Sequence, residues 1–173
     1  MRLGRHGGAT FERGAGPLQG LTNVFDGHVQ LTCITLGHGG QRRTIDAMLI
    51  TPDDVLEFWF GAPADPGYAQ PRAQWFRKDE AFDALIASRF GGLIEQALAG
   101  GCDGWAAPPL QPLPALASII VLDQFTRNAF RGSARAFAGD ALALQTARAL
   151  VAAGLDRGLT GVQRQFVYLP FEH

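Results

Sequence analysis

The chain has 173 residues, 47% of them hydrophobic, which is enough for one globular domain with a sizeable core. Its formal net charge of −1 excludes a global electrostatic preference for nucleic acid or an acidic membrane surface, and no apolar run approaches the ~18 residues needed to span a bilayer. Only Cys33 and Cys102 occur, which excludes a disulfide scaffold and a cysteine-rich zinc site and predicts a reducing, cytoplasmic setting.

Residues 1–47 differ in composition from the rest of the chain. They hold ten of the 22 glycines and no lysine, and glycine clusters interrupt every periodic pattern. We expect a disordered or loosely attached extension, and we hypothesise that translation of the native protein begins at Met48. His6, His28 and His38 have no spacing typical of metal ligands, so no metal site is predicted.

Residues 48–173 carry helical patterns throughout and form the predicted domain. The first helix opens at residues 51–54, where a threonine cap precedes a proline and two acids, and it ends at Gly61. After a proline-rich loop, Asp79 can cap a second helix over about residues 80–99, whose apolar residues follow the 3.6-residue period.

The third predicted helix follows a run of prolines and is apolar on all sides. Because residues 116–122 leave no polar face for solvent, we expect this helix at the centre of the domain. The β-branched residues 119–121 leave a buried strand as the alternative.

Two more helices complete the chain. Ser133 can cap a fourth helix over about residues 134–153, and Thr160 with Gln163 forms a capping box for a fifth, which Pro170 ends or kinks. Short turns between helices favour antiparallel neighbours, so the sequence predicts an all-α array.

A dense polar segment follows the apolar run of the third helix. On a helix, Asp123, Arg127 and Arg131 are successive four-residue steps, so the carboxylate can face one or both guanidinium groups. Gln124 and Asn128 share the adjacent strip. One interpretation, which the charges alone favour, is a buried ion pair that fastens the third helix to the fourth. The other interpretation is an anion-binding pocket in which an arginine donates two parallel hydrogen bonds to a carboxylate or phosphate.

Other polar residues also have two interpretations each. Asp140 is either a further partner for the arginines across the turn or a solvated side chain. Glu172 and His173 are natural general acids or bases near neutral pH, or else a solvated terminal pair, which their position favours.

Four aromatic side chains either form an aromatic box or, as their helical spacing favours, belong to the core. They are Trp59, Trp75, Phe76 and Trp105. No phosphate-cradling glycine loop or nucleophile elbow occurs, and no cofactor is predicted.

Six ordered segments of the chain together resemble the bacterial domain of unknown function 924. They are residues 55–61, 75–83, 123–132, 136–143, 153–156 and 166–173. The resemblance runs from about residue 49 to residue 173 and implies an all-α fold of the tetratricopeptide-like type, with antiparallel helices in a right-handed array. It implies no activity, because the family is uncharacterised.

In that family the closing Phe-Glu-His motif continues with serine, glutamate and further helices, whereas this chain ends at His173. We therefore expect an array that is incomplete at its C-terminus. Missing helices would expose apolar faces of the third and fifth helices, which favours self-association, and would remove one wall of any pocket at the polar segment.

Three functions are compatible with these residues. The preferred one is a helical binding module in which Arg127 and Asn128 hold a small anionic ligand or a peptide carboxylate. The second is an enzyme with Glu172 or His173 as acid or base and Arg127 stabilising negative charge. The third is a structural protein in which the polar cluster only fastens the helices. The candidate pocket residues are Asp123, Gln124, Arg127, Asn128, Arg131, Glu172 and His173.

Overall fold

The computed structural model describes residues 50–173, and these residues form helices, turns and loops but no β-strand. The all-α prediction is therefore confirmed for the described part of the chain. The predictions made for residues 1–47, including the three histidines, and the proposed start at Met48 lie outside the described residues. None of the helices in the described part combines the length and hydrophobicity that a membrane crossing requires.

The first helix, α1 (Pro52–Phe60), begins at the predicted cap. Thr51 Oγ1 accepts a hydrogen bond from the Asp54 amide (3.3 Å), and the Asp54 carboxylate accepts one from the Thr51 amide (2.8 Å). Hydrogen bonds from Thr51 hold the pKa of Asp54 below its ordinary value. The helix ends at Gly61, whose φ of 92° favours glycine.

The second helix, α2 (Glu80–Leu98), agrees with its predicted bounds to within one residue. Asp79 Oδ1 accepts hydrogen bonds from the amides of Ala81 (3.0 Å) and Phe82 (3.1 Å), which caps the helix as predicted. The glycine pair at residues 91–92 lies inside α2 without interrupting it.

The third helix, α3, spans residues 112–129 in three consecutive segments. Pro112–Ile119 is α-helical, Ile120–Phe125 is π-helical, and Thr126–Ala129 is α-helical again. The alternative of a buried strand is therefore wrong. The π-helical segment was not predicted, because side-chain periodicity gives no sign of a change from i→i−4 to i→i−5 hydrogen bonding.

The fourth helix, α4 (Asp140–Ala152), begins later than the predicted residue 134. Ala134–Phe137 forms a separate 3₁₀ turn, and the Ser133 side chain does not cap it. Gly139 lies between this turn and α4, so close to α3 that a Cβ there would be 2.1 Å from the Leu122 carbonyl oxygen. The close contact of Gly139 with α3 separates the 3₁₀ turn from α4. No local sequence pattern predicts this contact.

The fifth helix, α5 (Gly161–Tyr168), has the predicted capping box. Thr160 Oγ1 accepts from the Gln163 amide (3.3 Å), and Gln163 Oε1 accepts from the Thr160 amide (3.0 Å). Pro170 lies in the 3₁₀ turn Leu169–Phe171, so the α-helix ends where predicted. The right-handed tetratricopeptide-like arrangement and an incomplete C-terminus stay predictions.

The core is built around α3, which packs against the other four helices. Residues 115–126 of α3 are all buried, so the exposed face that we expected on this helix is not found. Near the end of α5, Tyr168 and Phe171 are 41% and 46% exposed. Self-association through such side chains stays a prediction.

The aromatic residues divide between core and surface. Trp59 and Trp75 are buried and stack at a centroid distance of 5.7 Å, which confirms the core interpretation for both. Trp105 is partly buried against the core. Phe76 was predicted as core but is 59% exposed, with its ring stacked on that of the buried Phe166 (6.2 Å).

The contact at Gly139 gives a direct test of the crossing of α3. We expect Gly139→Ala to lower the free energy of unfolding by about 3 kcal/mol, because the new Cβ meets the Leu122 carbonyl and the backbone must shift. Gly158→Ala is the matched control, since nothing lies within 4 Å of its Cβ position. Urea unfolding measures both variants, and equal stabilities would contradict the close crossing.

Candidate functional site

Asp123 lies within the π-helical segment of α3 and has no solvent exposure. Gln124 Nε2 donates a hydrogen bond of 2.6 Å to Asp123 Oδ2. The other oxygen, Asp123 Oδ1, accepts no well-formed hydrogen bond, but it lies 3.5 Å from Arg127 Nη2 and 3.3 Å from His173 Nε2. A fully buried carboxylate is stable only when cations or donors compensate it, so these contacts account for its position.

Arg127 is held by three further partners. Its guanidinium forms a bidentate ion pair with Asp140, with N···O distances of 2.7 and 3.3 Å, and Nη1 lies 3.4 Å from the Ala136 carbonyl oxygen. Its cationic carbon lies 5.2 Å from the centre of the Phe137 ring. The predicted partnership of Asp140 across the turn is therefore observed, and the Arg127 side chain is 20% exposed.

Arg131 does not face Asp123, which the four-residue spacing had allowed. It pairs instead with Asp83 of α2 through its Nε (2.6 Å) and Nη2 (2.9 Å). Asn128 Nδ2 donates to the same carboxylate at 2.7 Å. The hydrogen bond from Arg131, with that from Asn128, holds the pKa of Asp83 below its ordinary value, although desolvation raises it.

A cavity of about 190 Å³ opens between these side chains. Its lining residues are Trp75, Phe76, Arg77, Gln124, Arg127, Asn128, Arg131, Leu169 and His173. The side chains of the lining therefore include three arginines, one histidine and two amides but no aspartate or glutamate. Asp83 contacts Arg131, and Asp123 and Asp140 contact Arg127. None of these three aspartates lines the cavity.

Five of the seven predicted site residues line this cavity: Gln124, Arg127, Asn128, Arg131 and His173. Asp123 does not line it but contacts two lining side chains, the Arg127 guanidinium and the His173 imidazole. Glu172 lines a separate surface groove with Arg164 and Tyr168, so the structure does not bring it together with the others.

Sequence reasoning missed three of the lining residues and misassigned a fourth. Arg77, Trp75 and Leu169 were not proposed as site residues, and Phe76 was placed in the core. Arg77 is exposed and forms no ion pair with any residue of the described part. The sequence signal for Arg77 was its place beside Trp75 and Phe76, in one of the six segments that carry the family resemblance.

Within residues 50–173, no three histidine, cysteine, aspartate or glutamate side chains lie together in a way that could hold a metal ion. The cationic lining of the cavity is also the opposite of what a metal cation requires.

Comparisons with known proteins agree with the all-helical fold. The family model described as bacterial protein of unknown function (DUF924) matches residues 55–173. The chain is similar to the solved structure of a protein of unknown function from Agrobacterium tumefaciens, with 36% identity and a TM-score of 0.59. The match covers 70% of this chain and 63% of that chain, so this chain spans less than two thirds of that relative's length. No curated protein matches this chain.

The Asp83 contacts predict an acid-dependent contribution to stability. Because the pKa of Asp83 lies below its ordinary value of 3.8, its charge contributes fully above that value and the contribution is lost as the pH falls through the lowered pKa. We expect Asp83→Asn to cost about 1–2 kcal/mol of unfolding free energy at neutral pH, since three hydrogen bonds to a charged acceptor are weakened.

Urea unfolding over a series of pH values measures this effect. The difference between wild type and Asp83→Asn should shrink in acid, where the wild-type carboxyl is protonated too. Glu57→Gln changes an exposed carboxylate without an ion pair in the described part and should have little effect at any pH. A difference that stays constant into acid would show that the charge of Asp83 is not what stabilises the contact.

Proposed function

Given that this chain belongs to DUF924, a family of bacterial proteins of unknown function, we propose that it is a binding protein whose 190 Å³ cavity holds a small anion. The observation that carries the proposal is the sign of the lining: three arginines and a histidine face the cavity, and no aspartate or glutamate does. An anion placed there meets three guanidinium groups, an imidazole, two amides and apolar surface.

The arginines retain hydrogen-bond donors for a ligand. Among the described residues, Arg127 Nε and Arg131 Nη1 donate to no protein acceptor. Arg77 has no ion-pair partner in that part of the chain. The remaining donors are already oriented, because aspartates hold Arg127 and Arg131 in place, and so little ordering is required when an anion binds.

The size and apolar walls of the cavity narrow the ligand class. The cavity is smaller than the roughly 300–1,000 Å³ of pockets for drug-sized ligands. Trp75, Phe76 and Leu169 provide apolar surface beside the arginines. We therefore favour a small carboxylate that carries an aromatic or aliphatic group, either free or as the terminal residue of a peptide. A cytoplasmic location remains part of this proposal.

A purely structural role for the cluster accounts for fewer of the observations. It explains why Asp123, Asp140 and Asp83 each contact an arginine. It does not explain why Arg77 adds a further cation to the same wall, or why donors remain unused. The structural contacts and the binding site are compatible, because the aspartates orient the arginines that the ligand contacts.

Arg77 provides the sharpest test, because its side chain is exposed and its loss should not affect the fold. We expect Arg77→Ala to weaken the binding of phenylacetate at least about fivefold at low ionic strength, through loss of one cationic contact. Isothermal titration calorimetry measures the affinity. Arg148→Ala is the matched control, since it removes an exposed arginine on α4 that does not line the cavity.

Phenylacetamide tests whether charge is what the site recognises, because it has nearly the shape of phenylacetate without the carboxylate. The proposal predicts that wild-type protein binds phenylacetate and not the amide, and that added salt weakens the binding. Equal affinities for both compounds, or equal effects of the Arg77 and Arg148 substitutions, would overturn it.

One observation favours an enzyme as the second candidate. The buried Asp123 carboxylate contacts His173 Nε2, and an imidazole oriented in this way can use its other nitrogen as a general base. Arg127 lies beside it and can stabilise developing negative charge. The lining contains no serine, threonine or cysteine, so a covalent intermediate on a hydroxyl or thiol is not supported.

Binder and enzyme differ in one measurable outcome. If His173 is a catalytic base, His173→Gln should retain binding of a carboxylate but stop its conversion, which a time course of proton NMR spectra records. A carboxylate that binds wild-type protein and stays unchanged over the same period supports the binding protein.

A further inference from the structure

A second cavity, of about 290 Å³, lies on another part of the helical domain and shares no lining residue with the cationic one. It is lined by the end of α2, by α3, by α4 and by the loop that follows α2, and it opens to solvent beside the exposed Asp103, Gln145 and Ala149. Its lining residues are Ala97, Cys102, Asp103, Ala106, Ser118, Leu122, Leu142, Gln145, Thr146 and Ala149. No lysine, arginine or histidine is among them, so this cavity has a different chemistry from the first.

Ser118 is the polar residue at this cavity that calls for an explanation. It is 2% exposed, and its hydroxyl makes no hydrogen bond to any side chain or backbone group of the described residues. Its oxygen is not among the fully enclosed polar atoms that lack a partner, so it is accessible from the cavity and can bond a molecule there. By contrast Thr146, which also lines the cavity, donates its hydroxyl to the Leu142 carbonyl at 3.1 Å and keeps its acceptor capacity.

The other groups at the cavity are neutral where they are buried. Cys102 is 4% exposed, and burial, with a smaller effect of Asp103, raises the pKa of its thiol to about 11. The thiol therefore stays protonated at neutral pH and does not act as a nucleophile. Asp103 is the one carboxylate of the lining, and it is exposed, so it disfavours anions at this cavity.

Five of the ten lining residues are alanine or leucine, so water beside them is held weakly. A bound water is stable when it has two to four polar partners, and ~290 Å³ corresponds to several water volumes. The alanine and leucine side chains that form much of the wall offer water no hydrogen bonds. An apolar molecule that replaces weakly held water in such a cavity binds favourably.

We propose that this second cavity binds a small neutral molecule with an apolar body and one hydrogen-bonding group, for which the Ser118 hydroxyl is the partner. The site is independent of the cationic cavity, because the two share no residue and differ in charge. The ligand class is that of neutral alcohols, ketones or amides with about the size of a single aromatic ring.

Benzyl alcohol and toluene test the proposal, because they differ only in the hydroxyl group. Amide chemical shifts in NMR titrations should show saturable binding of benzyl alcohol to the wild-type protein, centred on residues 118 and 146. Ser118→Ala should weaken benzyl alcohol about fivefold or more and leave toluene unchanged, because only the alcohol loses a partner. Ala149→Leu at the exposed rim fills the cavity and should weaken both ligands.

Arg77→Ala is the control in this experiment and should change neither affinity, since Arg77 lines the other cavity. The proposal is overturned if benzyl alcohol gives no saturable shifts near residue 118, if Ser118→Ala affects alcohol and toluene equally, or if Ala149→Leu leaves the binding of both unchanged. Each of these outcomes would show that Ser118 and its cavity do not recognise the ligand.

Discussion

The carboxylate of Asp123 has no contact with solvent, and it lies inside the most apolar helix of the domain. Its charge must therefore be compensated by other side chains of the protein. Arg127 and His173 supply positive or protonatable groups within 3.5 Å, and Gln124 supplies a hydrogen bond. Arg127 in turn binds Asp140 at the start of α4. Through Arg127, the buried Asp123 is thus linked to α4, and through His173 it is linked to the residues that follow the turn after α5.

The ion-pair cluster and the proposed binding surface share residues. Asp83, Asp123 and Asp140 contact Arg127 or Arg131 but do not line the cavity, whose lining consists of arginine, histidine, amide and apolar side chains. The ion pairs fix Arg127 and Arg131 without using all their donors. Under the proposed function, a substitution of Arg127 should affect both stability and binding. No aspartate of the described residues pairs with Arg77, so a substitution there tests ligand binding without removing an ion pair.

The sequence predicted what depends on neighbouring residues along the chain. The caps at Thr51, Asp79 and Thr160 and the pairing of Asp123 with Arg127 arise within four residues, and the structure shows each of them. Contacts between distant segments were not predictable in this way. Asp83 is 48 residues from Arg131, and the start of α4 depends on where Gly139 crosses α3. The π-helical segment and the exposed side of Phe76 likewise follow from packing rather than from local periodicity.

The central claim is that the buried charge of Asp123 and the guanidinium of Arg127 stabilise each other and so orient the cationic wall. A double-mutant cycle with Asp123→Asn, Arg127→Met and the combined variant measures this coupling by urea unfolding. We expect a coupling free energy of at least about 1.5 kcal/mol, because each single variant removes one of the contacts that compensate the other side chain where little water reaches it. A coupling below about 0.5 kcal/mol would show that the two side chains act independently and would contradict this account.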